Sequence, residues 1–197
     1  MRLADHTIWQ SSNEGYTWAQ LFPGNRFLVF YHHKYTSDRA YLITNTRKFF
    51  YTTNSGQKWV EGRASSPPNI FGFQVLRFHS DSDKLIWSGS EGCDNNGASC
   101  RAVAYYSRDN GRQWSHVEDY VRNCAWVRDH RIDADPTEIL CESYRDKTGN
   151  QQFFREQNPL ELVTGTNYYA KKRKVFENVV GFAKFSEYLV VAEVCVL

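Results

Sequence analysis

An eight-residue turn motif occurs three times along this chain. The copies read SSNEGYTW (residues 11–18), TTNSGQKW (52–59) and SRDNGRQW (107–114). Each has a Ser or Thr, then an Asp or Asn, a Gly and a Trp at fixed spacing. The closing Trp residues are roughly 40 residues apart in the first interval, and the second interval is longer because it contains the insertion EGCDNNGASC (91–100). A repeat of this period indicates stacked copies of one small unit, so it constrains the fold more than any local pattern does.

The motif has the chemistry of a hairpin turn. The Asn or Asp side chain can accept hydrogen bonds from nearby backbone amides, and the Gly can take a positive φ at little cost. The hydroxyl is placed to bond the turn from the other side, and we expect each Trp to pack against its own hairpin. Because a catalytic or calcium site does not recur once per unit, we assign these positions a structural role. They are Ser11, Asn13, Gly15, Trp18, Thr52, Asn54, Gly56, Trp59, Ser107, Asp109, Gly111 and Trp114.

Strand-forming runs surround each copy of the motif. Aromatic residues, which favour strands, make up 16% of the chain, and no segment keeps a helical period. A period of about 40 residues with four short strands per unit is typical of propeller blades. We therefore predict an all-β chain that forms a partial β-propeller of about three and a half four-stranded blades. The predicted units are a half blade at 1–22, blades at 23–65, 66–119 and 120–177, and a half blade at 178–197.

Composition argues against several classes of function. The net charge of +2 is too small to indicate nucleic-acid binding, and we interpret the basic run at 171–174 as a solvated strand edge. No apolar run reaches the length of about 18 residues that a membrane span needs, and the first ten residues lack the core of a signal peptide. We expect membrane attachment only through parts outside this sequence. Nothing indicates a cofactor, and a structural role is favoured over metal binding for His32 and His33.

The turn motif resembles the Asp-box, which occurs in sialidases and in sortilin-family receptors. Further residues narrow the choice. Cys93 and Cys100 flank the insertion before the third box, Cys124-Ala-Trp and Ile139-Leu-Cys-Glu follow it, and FENVVGFAKFSEYLVVAEV (176–194) comes last. This order is similar to the luminal propeller of fungal sortilin-type vacuolar sorting receptors over nearly the whole chain. One departure is TGTNYY (164–169), which stands where a fourth box would fall and lacks its Asp and its Gly spacing.

The resemblance implies a receptor module and no enzyme. Receptors of this type capture soluble vacuolar hydrolase precursors in the lumen of the late Golgi and endosomes, as luminal parts of type I membrane proteins. The present chain would be a piece of such a propeller, without the remaining blades or a membrane span. The ligand-contacting residues of this chain stay unassigned. A less specific alternative is a receptor fragment that has no function by itself.

Five cysteines bear on the compartment. Disulfides Cys93–Cys100 and Cys124–Cys141 are expected, and they would indicate an oxidising compartment. Metal ligation is the alternative, although the series lacks the short Cys-x2–4-Cys pairs typical of zinc sites. Cys195 is left without a predicted partner in this chain.

The rival function is an Asp-box glycosidase of the sialidase type. Such an enzyme would need several arginines gathered around a substrate carboxylate, together with a Tyr–Glu nucleophile pair. Arg and Tyr are plentiful, so composition does not exclude it. The Arg-Ile-Pro motif of sialidase propellers is absent, and the nearest sequence is Arg131-Ile132-Asp133. We therefore favour binding over catalysis.

Overall fold

The computed structural model describes residues 4–80, 83–93, 100–126, 138–144, 160–166, 171–184 and 189–193. Within these ranges the regular elements are fifteen β-strands, and their pairings are antiparallel. In chain order they are β1 (Ile8–Gln10), β2 (Ala19–Leu21), β3 (Phe27–His32), β4 (Ala40–Thr44), β5 (Lys48–Thr52), β6 (Val60–Arg63), β7 (Leu76–Phe78), β8 (Leu85–Glu91), β9 (Arg101–Ser107), β10 (Ser115–Asp119), β11 (Val121–Trp126), β12 (Glu138–Tyr144), β13 (Leu160–Thr166), β14 (Lys171–Lys184) and β15 (Leu189–Glu193).

The first compact unit, Met1–Pro68, contains two sheets. Strands β1 and β2 form a two-stranded sheet, and β3, β4, β5 and β6 form a four-stranded sheet in chain order. The central strands are rich in aromatic and branched residues and are buried, whereas β6 is polar and mostly exposed, as suits the edge of a sheet. Ile8 of β1 packs with Phe27, Leu42 and Phe50 of the larger sheet, and Phe22 stacks on Phe50 at a centroid distance of 3.9 Å.

The second compact unit, Asn69–Leu197, also contains two sheets. Strands β7 to β10 form a four-stranded sheet, and β11 to β15 form a five-stranded sheet. Ile86, Tyr106 and Val117 from the first sheet share a buried core with Trp126 and Ile139 from the second. Successive antiparallel sheets of four strands, each built from consecutive strands, make this an all-β partial propeller, which confirms the predicted fold class.

The structure differs from the predicted boundary between residues 177 and 178. No turn separates the two positions, because β14 runs unbroken from Lys171 to Lys184. Its first part pairs with β13, its last part pairs with β15, and Val179 is registered with both neighbours. The sequence around it, NVVGFA, has branched residues that extend the chain and no turn-forming pair, so the strand changes partner without ending. The segment predicted as a separate half blade therefore starts inside a continuous strand.

Candidate functional site

The second Asp-box shows how the repeated motif folds. Thr52 Oγ1 donates to Asn54 Oδ1 at 2.9 Å and accepts the Gly56 amide at 3.0 Å. Asn54 Oδ1 also accepts the Lys58 amide at 2.9 Å, so two side chains close the turn from opposite sides. Ser55 and Gly56 both have positive φ, 55° and 82°. The Gly is needed because a left-handed backbone is unfavourable for other residues.

The other two boxes repeat this geometry. In each, the hydroxyl at the first position accepts the Gly amide and the Asn or Asp carboxyl or amide oxygen accepts the amide four residues onward. These polar groups are used by the backbone of their own turn, so they serve structure. The matching hydrogen bonds are Gly15 N to Ser11 Oγ at 2.8 Å, Thr17 N to Asn13 Oδ1 at 2.9 Å, Gly111 N to Ser107 Oγ at 2.8 Å and Gln113 N to Asp109 Oδ1 at 2.9 Å.

The three motif tryptophans do not share one environment. Trp18 donates from Nε1 to the carbonyl of Gly15 at 2.9 Å, within its own hairpin, and its side chain stays 45% exposed. Trp59 instead donates to Gln10 in β1, and Trp114 packs edge-on against Trp87 with a centroid distance of 5.9 Å. The expectation that each Trp uses its own hairpin thus describes the hydrogen bond of Trp18, whereas Trp59 bonds to the preceding repeat. Neighbouring sheets offer Trp partners that local spacing does not reveal.

A second repeated contact was missed in the sequence. The residue after the Asn or Asp of a box donates its amide to the carbonyl of an Asp that precedes the second strand of the same sheet. Ser55 N binds Asp38 O at 2.8 Å, and Asn110 N binds Asp83 O at 2.9 Å. The signal was an Asp followed by a basic residue, present in both loops but outside the eight-residue motif.

Each of these loops also begins with a buried histidine. His33 follows β3 and His79 follows β7, and their backbone amides donate to the carbonyls of Arg39 and Lys84. The Nδ1 atom of His33 accepts the Thr36 amide at 3.2 Å and lies 2.9 Å from its hydroxyl oxygen. His33 therefore organises the loop that contacts the second box, in agreement with the structural role expected for it.

Both expected cysteine pairs are disulfides in the structure. Cys93 and Cys100 are joined with Cα atoms 4.0 Å apart, and Cys124 and Cys141 with Cα atoms 4.1 Å apart. The second bridge links directly paired positions of β11 and β12 within the buried core. Cys195 lies outside the described residues, as do the TGTNYY positions after 166 and the sequence Arg131-Ile132-Asp133. Among the described residues, no group of His, Cys, Asp and Glu is arranged to hold a metal ion.

Charged groups meet where β8, β9 and β10 end or begin. Arg101 Nη2 lies 3.2 Å from Glu91 Oε2, and Arg101 Nε lies 3.5 Å from Asp119 Oδ1. His116 Nε2 is 3.2 Å from the same Asp119 oxygen, and the Tyr105 hydroxyl donates to Glu91. The cluster ties together the three strands next to the Cys93–Cys100 bridge.

This cluster contains a Tyr–Glu pair and an arginine, so it bears on the glycosidase alternative. Burial raises the pKa of Tyr105 above its ordinary value, and the hydrogen bond to Glu91 and the negative charges of Glu91 and Asp119 raise it further. A nucleophilic tyrosine needs the opposite shift. Arg101 is already paired with two carboxylates instead of open to a substrate carboxylate. The geometry therefore does not favour a glycosidase.

An aromatic groove of about 580 Å³ lies between the β1–β2 hairpin and the four-stranded sheet of the first unit. Trp9, Trp18, Phe30 and Trp59 contribute its aromatic lining. The remaining lining residues are Ile8, Gln10, Ser11, Leu21, His32, Ser37, Asp38, Arg39, Ala40, Leu42, Thr52, Ser55 and Gly56. Mostly apolar pockets of this size suit organic ligands or protein segments. The described part of the chain has no helix with the length and apolar character needed to cross a membrane.

Asp-box hairpins that close consecutive antiparallel sheets define the class of Asp-box propellers. The family model described as "Sortilin, neurotensin receptor 3" matches residues 6–195, so the chain belongs to the Sortilin-Vps10 family. It is 64% identical over 193 residues to the vacuolar protein sorting/targeting protein 10 of Laccaria bicolor, and 46% identical over 202 residues to that of Mycosarcoma maydis. Each match covers 98% of this chain and 13% of the relative, so the chain spans about an eighth of their length.

A more distant relative and a solved structure complete the comparison. The vacuolar protein sorting/targeting protein 10 of Blastomyces gilchristii is 31% identical over 194 residues, which is 98% of this chain and 12% of that protein. A structure described as "YCF48 bound to D1 peptide" covers 95% of this chain and 69% of its own, at 14% identity and a TM-score of 0.34. That structural similarity is too low to carry an argument.

Proposed function

We propose that this chain is part of the luminal, ligand-binding propeller of a receptor that sorts soluble hydrolases from the late Golgi to the vacuole by way of endosomes. Its partners are precursors of soluble vacuolar hydrolases, recognised as proteins or extended peptides. It performs no catalysis and needs no cofactor. The observation that carries the proposal is the family match over residues 6–195, together with relatives whose names describe vacuolar sorting.

Two features of the molecule support this function. The Cys93–Cys100 and Cys124–Cys141 disulfides suit an oxidising lumen rather than the cytosol. The Asp-box side chains are engaged in their own turns, so the repeated polar residues supply a rigid scaffold. A scaffold of stacked sheets can present loops and strand edges to a protein ligand without any reactive group. We accordingly interpret the units at 23–65 and 66–119 as blades.

The test is a functional exchange with a relative. The region of the Laccaria bicolor protein that matches this chain is replaced by residues 1–197, and the chimera is produced in a fungal strain that lacks its own sorting receptor. We expect the chimera to retain a soluble vacuolar hydrolase inside the cell, measured as the fraction secreted into the medium. The unmodified Laccaria bicolor protein and an empty vector define the two limits of the assay.

A matched pair of substitutions controls for folding. Thr53→Val in the chimera changes an exposed neighbour of the box and leaves sorting intact, whereas Thr52→Val removes the hydroxyl that closes the turn. Secretion equal to the empty vector by a chimera that is stable and reaches the same compartment would refute the proposed function.

A further inference from the structure

The first sheet of the chain has half the strands of its neighbours. β1 pairs with β2 alone in the described residues, whereas β3–β6 and β7–β10 are four-stranded. The Asp-box joins β1 to β2, as it joins β5 to β6 and β9 to β10. In the two complete sheets the strands joined by the box are the third and fourth, so β1 and β2 take the third and fourth places. The first and second places adjoin the free edge of β1.

The adjoining face of the β3–β6 sheet is covered to the same partial extent. Phe30, Leu42 and Phe50 are directly registered across β3, β4 and β5, which puts them on one face. Leu42 and Phe50 are buried in the cluster with Ile8, whereas Phe30 is 49% exposed. His32 is exposed one register step away, although its paired Ala40 is buried. The β1–β2 hairpin therefore covers the β4 and β5 columns and leaves the β3 column bare.

The second four-stranded sheet has no such bare column. Its first strand, β7, buries both Leu76 and Phe78. The corresponding strand β3 alternates between residues that are at least partly covered and the exposed Leu28, Phe30 and His32. Contiguous exposed apolar surface of this kind is uncommon in a completed fold and marks an interface.

The groove lies where the bare column and the free edge meet. Ile8 and Gln10 from β1 line one side, and Phe30 and His32 from β3 line the other. We propose that the groove is the seat of two further antiparallel strands of the same polypeptide, which pair with β1 and complete a four-stranded blade. Strands are spaced about 4.8 Å apart, so two strands extend the β1–β2 sheet by about 10 Å across the face of β3.

The occupant is therefore a strand pair with apolar residues at alternate positions, and the groove is closed to cargo. The relatives have ample chain for it, since the match covers 13% of the Laccaria bicolor protein. An unpaired β1 edge also needs backbone partners, which a strand supplies and a small ligand does not. This inference rests on sheet topology and burial, and it stands or falls independently of the sorting function.

Thiol protection in the chimera with the Laccaria bicolor protein tests this proposal. Phe30→Cys places a thiol in the groove, and Tyr16→Cys places one on the first Asp-box hairpin, outside the groove lining. Their parent side chains are 49% and 84% exposed, so an open groove makes both thiols reactive. We expect native Phe30→Cys to react with a maleimide at least about tenfold more slowly than Tyr16→Cys, after each rate is divided by its rate in urea. The chimera without an added cysteine supplies the background.

His32→Cys is a second probe in the same column, for use where Phe30→Cys prevents folding. Protection of either groove thiol without cargo, with Tyr16→Cys reactive, supports the proposal. Equal normalised rates for groove and control thiols overturn it. Protection that develops only when a vacuolar hydrolase precursor is added also overturns it, because the groove is then a cargo site. A chimera that protects the groove thiol and fails to sort retains this inference and refutes the sorting function.

Discussion

The side-chain amide of Gln10 joins the first Asp-box repeat to the second. Its oxygen accepts a hydrogen bond of 3.0 Å from Trp59 Nε1, and its nitrogen donates to the carbonyl of Gly56 at 2.9 Å. Gln10 and Trp59 are separated by 49 positions in the chain. One side chain thus holds the turn and the tryptophan of the following box together, which makes it a direct link between two sheets of the first unit.

Gln10→Leu should destabilise the first unit. The substitution keeps the approximate size of the side chain but leaves the Trp59 N–H and the Gly56 carbonyl without their partner, at a cost of about 1–3 kcal/mol. The change is measured by thermal unfolding with tryptophan fluorescence. Gln20→Leu in β2 is the matched control and should shift the midpoint much less. Equal shifts for the two variants would show that the amide bridge contributes nothing specific.

Gly56→Ala should cost more than Gly24→Ala. Both glycines have left-handed φ, 82° and 85°, so alanine meets a similar backbone penalty of about 1 kcal/mol at each. A Cβ at Gly56 would also lie 3.1 Å from Gln10 Nε2, whereas nothing lies within 4 Å of a Cβ at Gly24. Chemical denaturation of both variants measures the difference. In a Gln10→Ala background the two costs should become equal, and a persisting difference would place its origin elsewhere.

Thr52→Val should destabilise the second hairpin, and Thr53→Val should not. The first substitution leaves shape nearly unchanged but removes the oxygen that accepts the Gly56 amide and donates to Asn54, at a cost of about 1–3 kcal/mol. Thr53 is the exposed neighbour. Hydrogen exchange of the amides at Gly56 and Lys58 is the measurement, and unchanged protection in Thr52→Val would contradict the assigned role of the hydroxyl.

Tyr105 should make stability fall at alkaline pH. Burial and the contact with Glu91 raise the pKa of Tyr105 in the folded chain, so the unfolded chain loses its phenolic proton first, from about pH 10 upward. Stability that is present below about pH 10 is then lost as the pH rises further. Tyr105→Phe should flatten this part of the stability curve, and Glu91→Gln should flatten it in part. Urea unfolding between pH 8 and pH 11 or so tests both, and parallel curves for all three proteins would contradict the expectation.

The repeated turns were predictable because their hydrogen bonds are local. Thr52 reaches Asn54 and Gly56 within four positions, so the motif contains its own partners, and the same is true at Ser11 and Ser107. The loop contacts of Asp38 and Asp83 were missed because they join the box to a different hairpin of the same sheet. Their distance along the sequence hid a relationship that the sheet makes close.

The amino-acid sequence by itself determined the all-β class, the three Asp-box turns and the family of this chain, because those features depend on local spacing and on residue identity. Tertiary structure alone decided that Trp59 binds Gln10, that β14 changes partner at Val179, and that the β3 face stays bare beside β1. The physical reason is that these features arise from how sheets stack and which strands become neighbours. Packing of that kind depends on contacts between distant segments, which no short-range pattern encodes.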